Sequence, residues 1–335
     1  MNIPFEIAAM SRSKQEQIES YIAHKVPPMG AMGVVRDVAL RLALIQGTPK
    51  PFLNQPSLFL FAGDHGVAEE AICATPQLWS RHQTLNVAQG GASVCAFARL
   101  NRMMLRVVDA GLKQPVDHPQ VLSRRIGAST KNCKREAAMS HGQLERALRL
   151  GGDLVRARCK AGTNVLGLGT CGVGGRLSAD CILGYLLGDG EANLLRQNEE
   201  DYQLFFKDIQ LVHGDIQDPW EILRLFGGFE FAMMLGAMLQ CASNHITILV
   251  DGYIGAVMAL LASRVAPEVA DFVFVCQDSA HPGQALALDQ LVQESLMSLG
   301  LDLDDGSGVA LAFPLFQAAV TFLNEVASSD DRPLN

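Results

Sequence analysis

No C-x-x-C pair occurs among the cysteines at 73, 95, 133, 159, 171, 181, 241 and 276, and none of their spacings is one that holds zinc. The thiols therefore read as small core residues of a reducing compartment, and no metal is expected. A basic stripe is missing as well. The formal net charge is -8, and basic residues concentrate only at Arg124-Arg125 and from Lys131 to Arg135, short enough for a solvated loop. That excludes a nucleic-acid surface, which neutralises phosphates with clustered Lys and Arg. No apolar run spans a bilayer, because the most apolar segment, Phe229 to Ala242, is too short and carries Glu230. The first residues, Met-Asn-Ile-Pro-Phe-Glu-Ile, lack the basic and apolar regions of a signal peptide, so a soluble, cytoplasmic protein is expected. Internal repeats, low-complexity tracts and Pro/Ser linkers are absent too.

What is present is a chain of 335 residues, 49% hydrophobic, able to bury a large α/β core. Apolar runs of strand length recur at Ser57 to Ala62, Met103 to Val108, Ile246 to Val250 and Phe272 to Cys276. Each ends in a polar tip: Gly63-Asp64-His65-Gly66, Asp109-Ala-Gly111, Asp251-Gly252 and Gln277-Asp278-Ser279-Ala280-His281. Helical patterns lie between, at 11–24, 34–45, 76–88, 92–100, the 140s and 150s behind Ser140-His-Gly-Gln143, from Asp218-Pro-Trp220, from Gly227-Gly-Phe-Glu230, and 309–326. Residues 113–134 read as irregular, and the acidic 189–201 stretch as a solvated loop and helix start. Strand, polar tip, helix is the rhythm of a wound parallel sheet, whose ligands collect outside the carboxyl ends of the strands.

The stretch from Asn164 to Arg176 stands out. It reads as a strand, a glycine turn over Gly167, Gly169, Gly172, Gly174 and Gly175, then a helix. A helix N-terminus behind glycines favours an anion, and a phosphate is the expected guest. Gly167-Leu-Gly169-Thr-Cys-Gly172 also matches the dinucleotide fingerprint, but Asp189 and Glu191, at the distance of its acidic partner, have no strand before them. A merely tight turn is the third reading. Near the end, Asp302, Asp304 and Asp305 precede the last helix, where carboxylates ordinarily serve as caps.

In order, Lys25 with Pro27-Pro28 and Gly33, Phe61-Ala-Gly-Asp-His-Gly-Val67, Gly90-Gly91-Ala92, Glu136-Ala-Ala-Met139, Leu225-Phe-Gly-Gly-Phe-Glu230, Leu249-Val-Asp-Gly-Tyr253, Ser279-Ala-His-Pro-Gly283 and Gly306-Ser-Gly-Val-Ala-Leu-Ala312 resemble the nicotinate-nucleotide:dimethylbenzimidazole phosphoribosyltransferase family of cobalamin biosynthesis, from Lys25 to about Ala327. The resemblance implies a Rossmann-like α/β domain, placed at 50–290, and a smaller helical domain from 1–49 and 291–335. It further implies a homodimer without cofactor or metal. The reaction would move ribose 5-phosphate from nicotinate mononucleotide to a benzimidazole-type base by a single displacement, releasing nicotinate. The family's general base is a glutamate in Gly-Glu-Gly-Thr/Ser-Gly, and Asp304-Asp305-Gly306-Ser307-Gly308 occupies that motif, which assigns the role to Asp305. Gly167, Leu168, Gly169, Thr170, Cys171 and Gly172 would hold the phosphate and ribose. Asp64, Cys73, Thr75, Arg81 and Ser279 would line the base pocket. Val165-Leu-Gly-Leu-Gly-Thr-Cys-Gly172 stands where the family usually reads Glu-Met-Gly-Ile-Gly/Ala-Asn-Thr-Thr. A non-catalytic or repurposed homologue that keeps the fold, with or without nucleotide binding, is therefore the alternative, with an NAD oxidoreductase third.

Overall fold

The computed structural model describes residues 5–25, 32–70, 72–73, 75–76, 78–188 and 200–328. The Pro27-Pro28 loop and the acidic stretch with Asp189 and Glu191 lie outside them.

Six parallel strands form one sheet in the order β3-β2-β1-β4-β5-β6: β1 Ser57–Gly63, β2 Met104–Gly111, β3 Val121–Ser123, β4 Val165–Cys171, β5 Thr247–Val250 and β6 Val273–Val275. This is the wound parallel sheet expected, in the doubly wound order, and β3 is an addition inside the segment read as irregular. Every residue of β1 and β4 is buried, the property of central parallel strands covered on both faces. The chain reverses its winding between β1 and β4, so the crevice for a ligand opens at their carboxyl ends.

Helices cover the sheet. In chain order they are α1 Gln15–Ala23, α2 Val34–Gln46, α3 Leu78–Ala88, α4 Ser93–Leu100, α5 His141–Lys160, α6 Gly175–Leu187, α7 Glu200–His213, α8 Pro219–Phe226, α9 Phe229–Ser243, α10 Gly252–Val265, α11 Pro282–Leu291 and α12 Ser307–Glu325. The capping signals act as read. Ser140 and Gln143 close a reciprocal capping box on α5, and the Asp218 side chain accepts from the Trp220 N–H at the start of α8. The Ala- and Met-rich α9 packs closely on α5. A Cβ at Gly236 would collide with the Leu148 carbonyl, and one at Gly151 with that of Met233.

Among the described helices, α12 alone is long and apolar enough to cross a membrane, yet more than half of it is buried inside the fold. It packs on α2, α4 and β4. The N-terminal helices close over its far end, where the Tyr21 hydroxyl donates to the Leu323 carbonyl and the Lys25 ammonium to that of Val326.

Candidate active site

The glycine turn differs in register from its reading in the sequence. Strand β4 continues to Cys171, so Gly167, Leu168 and Gly169 are buried strand residues and the turn itself is Gly172-Val173-Gly174. The two strand glycines serve packing. A Cβ at Gly167 would lie 2.7 Å from Leu58 Cδ1, and one at Gly169 would strike the Asp305–Gly306 peptide. Gly169 thus lets the loop that carries Asp305 lie against the strand, and the Thr170 N–H donates to the Asp304 carbonyl at 2.7 Å. Gly174, at φ 86°, adopts the left-handed conformation that turns the chain into α6. The dinucleotide reading fails on the same register, because in this strand order the fingerprint belongs after β1, where the chain instead reads Gly63-Asp64-His65-Gly66.

Above the turn lies a cavity of about 810 Å³. One wall is the strand end and turn from Thr170 through Leu177, another is α3 and its approach with Ile72, Cys73, Thr75, Trp79, Gln83 and Asn86, and a third is the loop Asp302–Asp305. Of the residues assigned from sequence, Thr170, Cys171, Gly172, Cys73, Thr75 and Asp305 line it, while Gly167, Leu168, Gly169, Asp64, Arg81 and Ser279 do not. Geometry explains the last three. Asp64 is buried under the cavity floor, its carboxylate accepting from the N–H groups of Lys113 at 2.7 Å and Val173 at 3.4 Å. Trp79, Gln83 and Asn86 follow helical spacing on the cavity face of α3, which turns Arg81 away. Ser279 follows the edge strand β6 and accepts from the His281 N–H.

The carboxylates before α12 have separate tasks. Asp305 Oδ1 accepts from the Ser307 N–H at 2.9 Å, and its other oxygen has no hydrogen-bond donor among the described residues. The helix cap itself comes from elsewhere: Asp251, at the end of β5, accepts from the N–H groups of Gly306 and Gly308. Asp302 and Asp304 bind Arg176 of α6, whose Nη1 is 2.9 Å from Asp302 Oδ2 and whose Nε is 3.0 Å from Asp304 Oδ2. Burial works against the Arg176 charge, but the two carboxylates outweigh it and raise its pKa. The Arg176 hydrogen bond holds Asp302 below the usual carboxylate range, whereas burial raises Asp304 against the pull of the same arginine. Burial pushes the Cys171 thiol up to about 12, so it is no nucleophile at neutral pH.

Arg176, Asp302, Asp304, Trp79, Gln83 and Asn86 are cavity residues that the sequence reading did not assign. Helical spacing within 78–88 could have grouped the last three. The partnership of Arg176 with Asp302 and Asp304 spans more than a hundred residues and has no local signal. The arrangement as a whole brings the start of α6, the apolar side chains of Ile72, Trp79 and Leu177, and Asp305, the one of the three lining aspartates not paired with Arg176, to the same space, which suits an anionic substrate joined to a flat base.

A family model described as phosphoribosyltransferase matches residues 7–332. The chain belongs to this phosphoribosyltransferase family. It is 36% identical to the nicotinate-nucleotide-dimethylbenzimidazole phosphoribosyltransferase of Photobacterium profundum, covering 98% of each chain. It is also 36% identical to the enzyme of that name from Ralstonia nicotianae, over 96% of this chain and 94% of the relative. The crystal structure of the nicotinate-nucleotide-dimethylbenzimidazole phosphoribosyltransferase from Thermus thermophilus superposes with a TM-score of 0.89 at 30% identity, covering 96% of this chain and 98% of the other. Family membership makes the protein a transferase with the doubly wound α/β fold, and nothing in these likenesses favours the non-catalytic alternative.

Proposed function

We propose that the chain transfers ribose 5-phosphate from nicotinate mononucleotide to a benzimidazole-type base, giving an α-ribotide for the cobalamin lower ligand and free nicotinate. The observation that carries this reading is that the glycine turn before α6 and the carboxylate of Asp305 face one cavity at the β1/β4 crevice. In it the 5'-phosphate sits on the N–H groups at the start of α6, where the macrodipole favours an anion. The base lies against Ile72, Trp79 and Leu177. A ring nitrogen of the base attacks the ribose C1', the bond to the nicotinate nitrogen breaks with its electron pair, and Asp305 takes the proton of the attacking azole.

Replacing Asp305 by Asn keeps the shape and the acceptor for the Ser307 N–H while removing the base. Nicotinate release from nicotinate mononucleotide and dimethylbenzimidazole should then slow about 100-fold or more in kcat. Wild-type turnover with no loss in D305N would remove Asp305 from the reaction, and no turnover with any azole would end the transferase reading.

The reading extends to a cytoplasmic homodimer. Eight cysteines, all free and mostly buried, fit a reducing compartment. Leu204, Leu211 and Val212 are exposed on α7, an apolar face that a second copy could cover, and sedimentation would give the oligomeric state. It also keeps a smaller helical unit from 1–49 and 291–335, for which the packing of α2 on α12 and of α1 on α2 speaks.

A further inference from the structure

Beneath the glycine turn, three side chains from three different elements form one hydrogen-bonded chain. Ser178 Oγ of α6 lies 2.7 Å from His65 Nδ1, and His65 Nε2 pairs with Glu230 Oε1 of α9. Each of the three is 1% exposed. In an open cleft, serine, histidine and carboxylate would read as a nucleophilic triad. Here none of them lines the cavity, so no substrate carbon can reach the hydroxyl.

What the chain touches is the turn. A Cβ at Gly174 would lie 2.9 Å from His65 Cβ, and one at Gly175 would lie 3.5 Å from His65 Nε2. The His65 N–H donates to the Val173 carbonyl at 3.1 Å, and the Val173 N–H donates to Ser80 Oγ at 2.9 Å. The middle residue of the turn is thereby held on both sides. At the other end of the chain, Glu230 sits in the first turn of α9 and folds back against Gly228, where the macrodipole favours a carboxylate.

We infer that Ser178, His65 and Glu230 are positioning residues for the phosphate of the nucleotide substrate, an inference that rests on the phosphate site proposed above. The chain holds the Val173–Gly174 peptide plane so that the N–H groups at the start of α6 are aimed before the anion arrives, which removes reorganisation from binding. It also keeps the Glu230 carboxylate paired. An unpaired buried carboxylate at this depth would repel the incoming phosphate. Breaking the chain therefore weakens the phosphate-bearing substrate and spares the base.

The test uses S178A and E230Q in the full chain. Initial rates are measured with nicotinate mononucleotide and dimethylbenzimidazole, and inorganic phosphate binding is titrated by calorimetry. The expected result is a KM for the nucleotide raised about tenfold, with phosphate binding weakened in proportion. The KM for the base and kcat should stay within about twofold. Equal rises in both KM values, a fall in kcat alone, or unchanged phosphate binding in both variants would overturn the positioning role. S178A removes a single oxygen and decides the matter by itself should E230Q fail to fold. A wild-type protein that binds phosphate without any turnover would overturn the transferase reading instead, and weaker phosphate binding in S178A would then still carry the positioning role.

Discussion

Asp251 is buried at the end of β5 with Oδ2 accepting from the N–H groups of Gly306 and Gly308, while its Oδ1, beside Gly308, has no donor among the described residues. Burial, reinforced by Asp304 and Asp305, raises this carboxyl well above its ordinary range, consistent with a neutral acid. A group whose folded pKa is raised holds its proton more tightly in the folded state. Its contribution to stability is fully present below the ordinary value of about 4 and is lost as pH rises through the folded value. The variant D251N cannot ionise, so its Tm relative to wild type should improve between about pH 5 and about pH 8. A difference that stays constant over that window would show that Asp251 is already charged throughout it.

At the scale of elements, the site depends on α6 and the Asp302–Asp305 loop being drawn together across the ends of β4 and β5. Arg176 does this through two carboxylates, and the bare Cα of Gly169 lets the loop backbone approach. Replacing Arg176 by Met keeps most of the apolar stem and leaves Asp304, whose side chain is 9% exposed, without its cation. The loss should be about 1–3 kcal/mol, below the figure for a fully buried pair because solvent screens the exposed part of the guanidinium. Urea denaturation measures it, and an R176M midpoint equal to wild type would mean the ion pair adds nothing. Exposed pairs such as Lys131 with Glu136 have no comparable role, since water competes at both ends.

At the scale of the molecule, α12 ties the parts together. It begins at the Asp251 cap, runs against β4 and α4, and ends under α1 and α2. Because one helix completes both the sheet core and the N-terminal packing, the two should unfold in a single transition. Circular dichroism and the fluorescence of Trp79 and Trp220, on α3 and α8, should give coincident urea curves. Separated midpoints would show that the N-terminal helices open independently.

Most of the strands, the α5 and α8 caps and the wound parallel sheet are legible from sequence because they rest on local periodicity and on short-range hydrogen bonds, whereas β3 and the strand order are not. Asp305 was legible through its motif, since Gly306-Ser-Gly308 marks the close approach there. The limits of the glycine turn were not. Gly167 and Gly169 read locally as turn residues, and only the packing of Leu58, Val309 and the Asp305 loop against them shows that they are strand. Arg81 and Ser279 read as pocket residues until helix phase and strand position set them aside. The linkage of Ser178, His65 and Glu230 joins residues over a hundred positions apart, as does that of Arg176 with Asp304. The sequence by itself determined the kind of fold and the family, because both follow from patterns that lie along the chain. The tertiary structure decided which glycines line the cavity and which charges are paired, because close approach and burial are properties of neighbours that the chain brings together only when it folds.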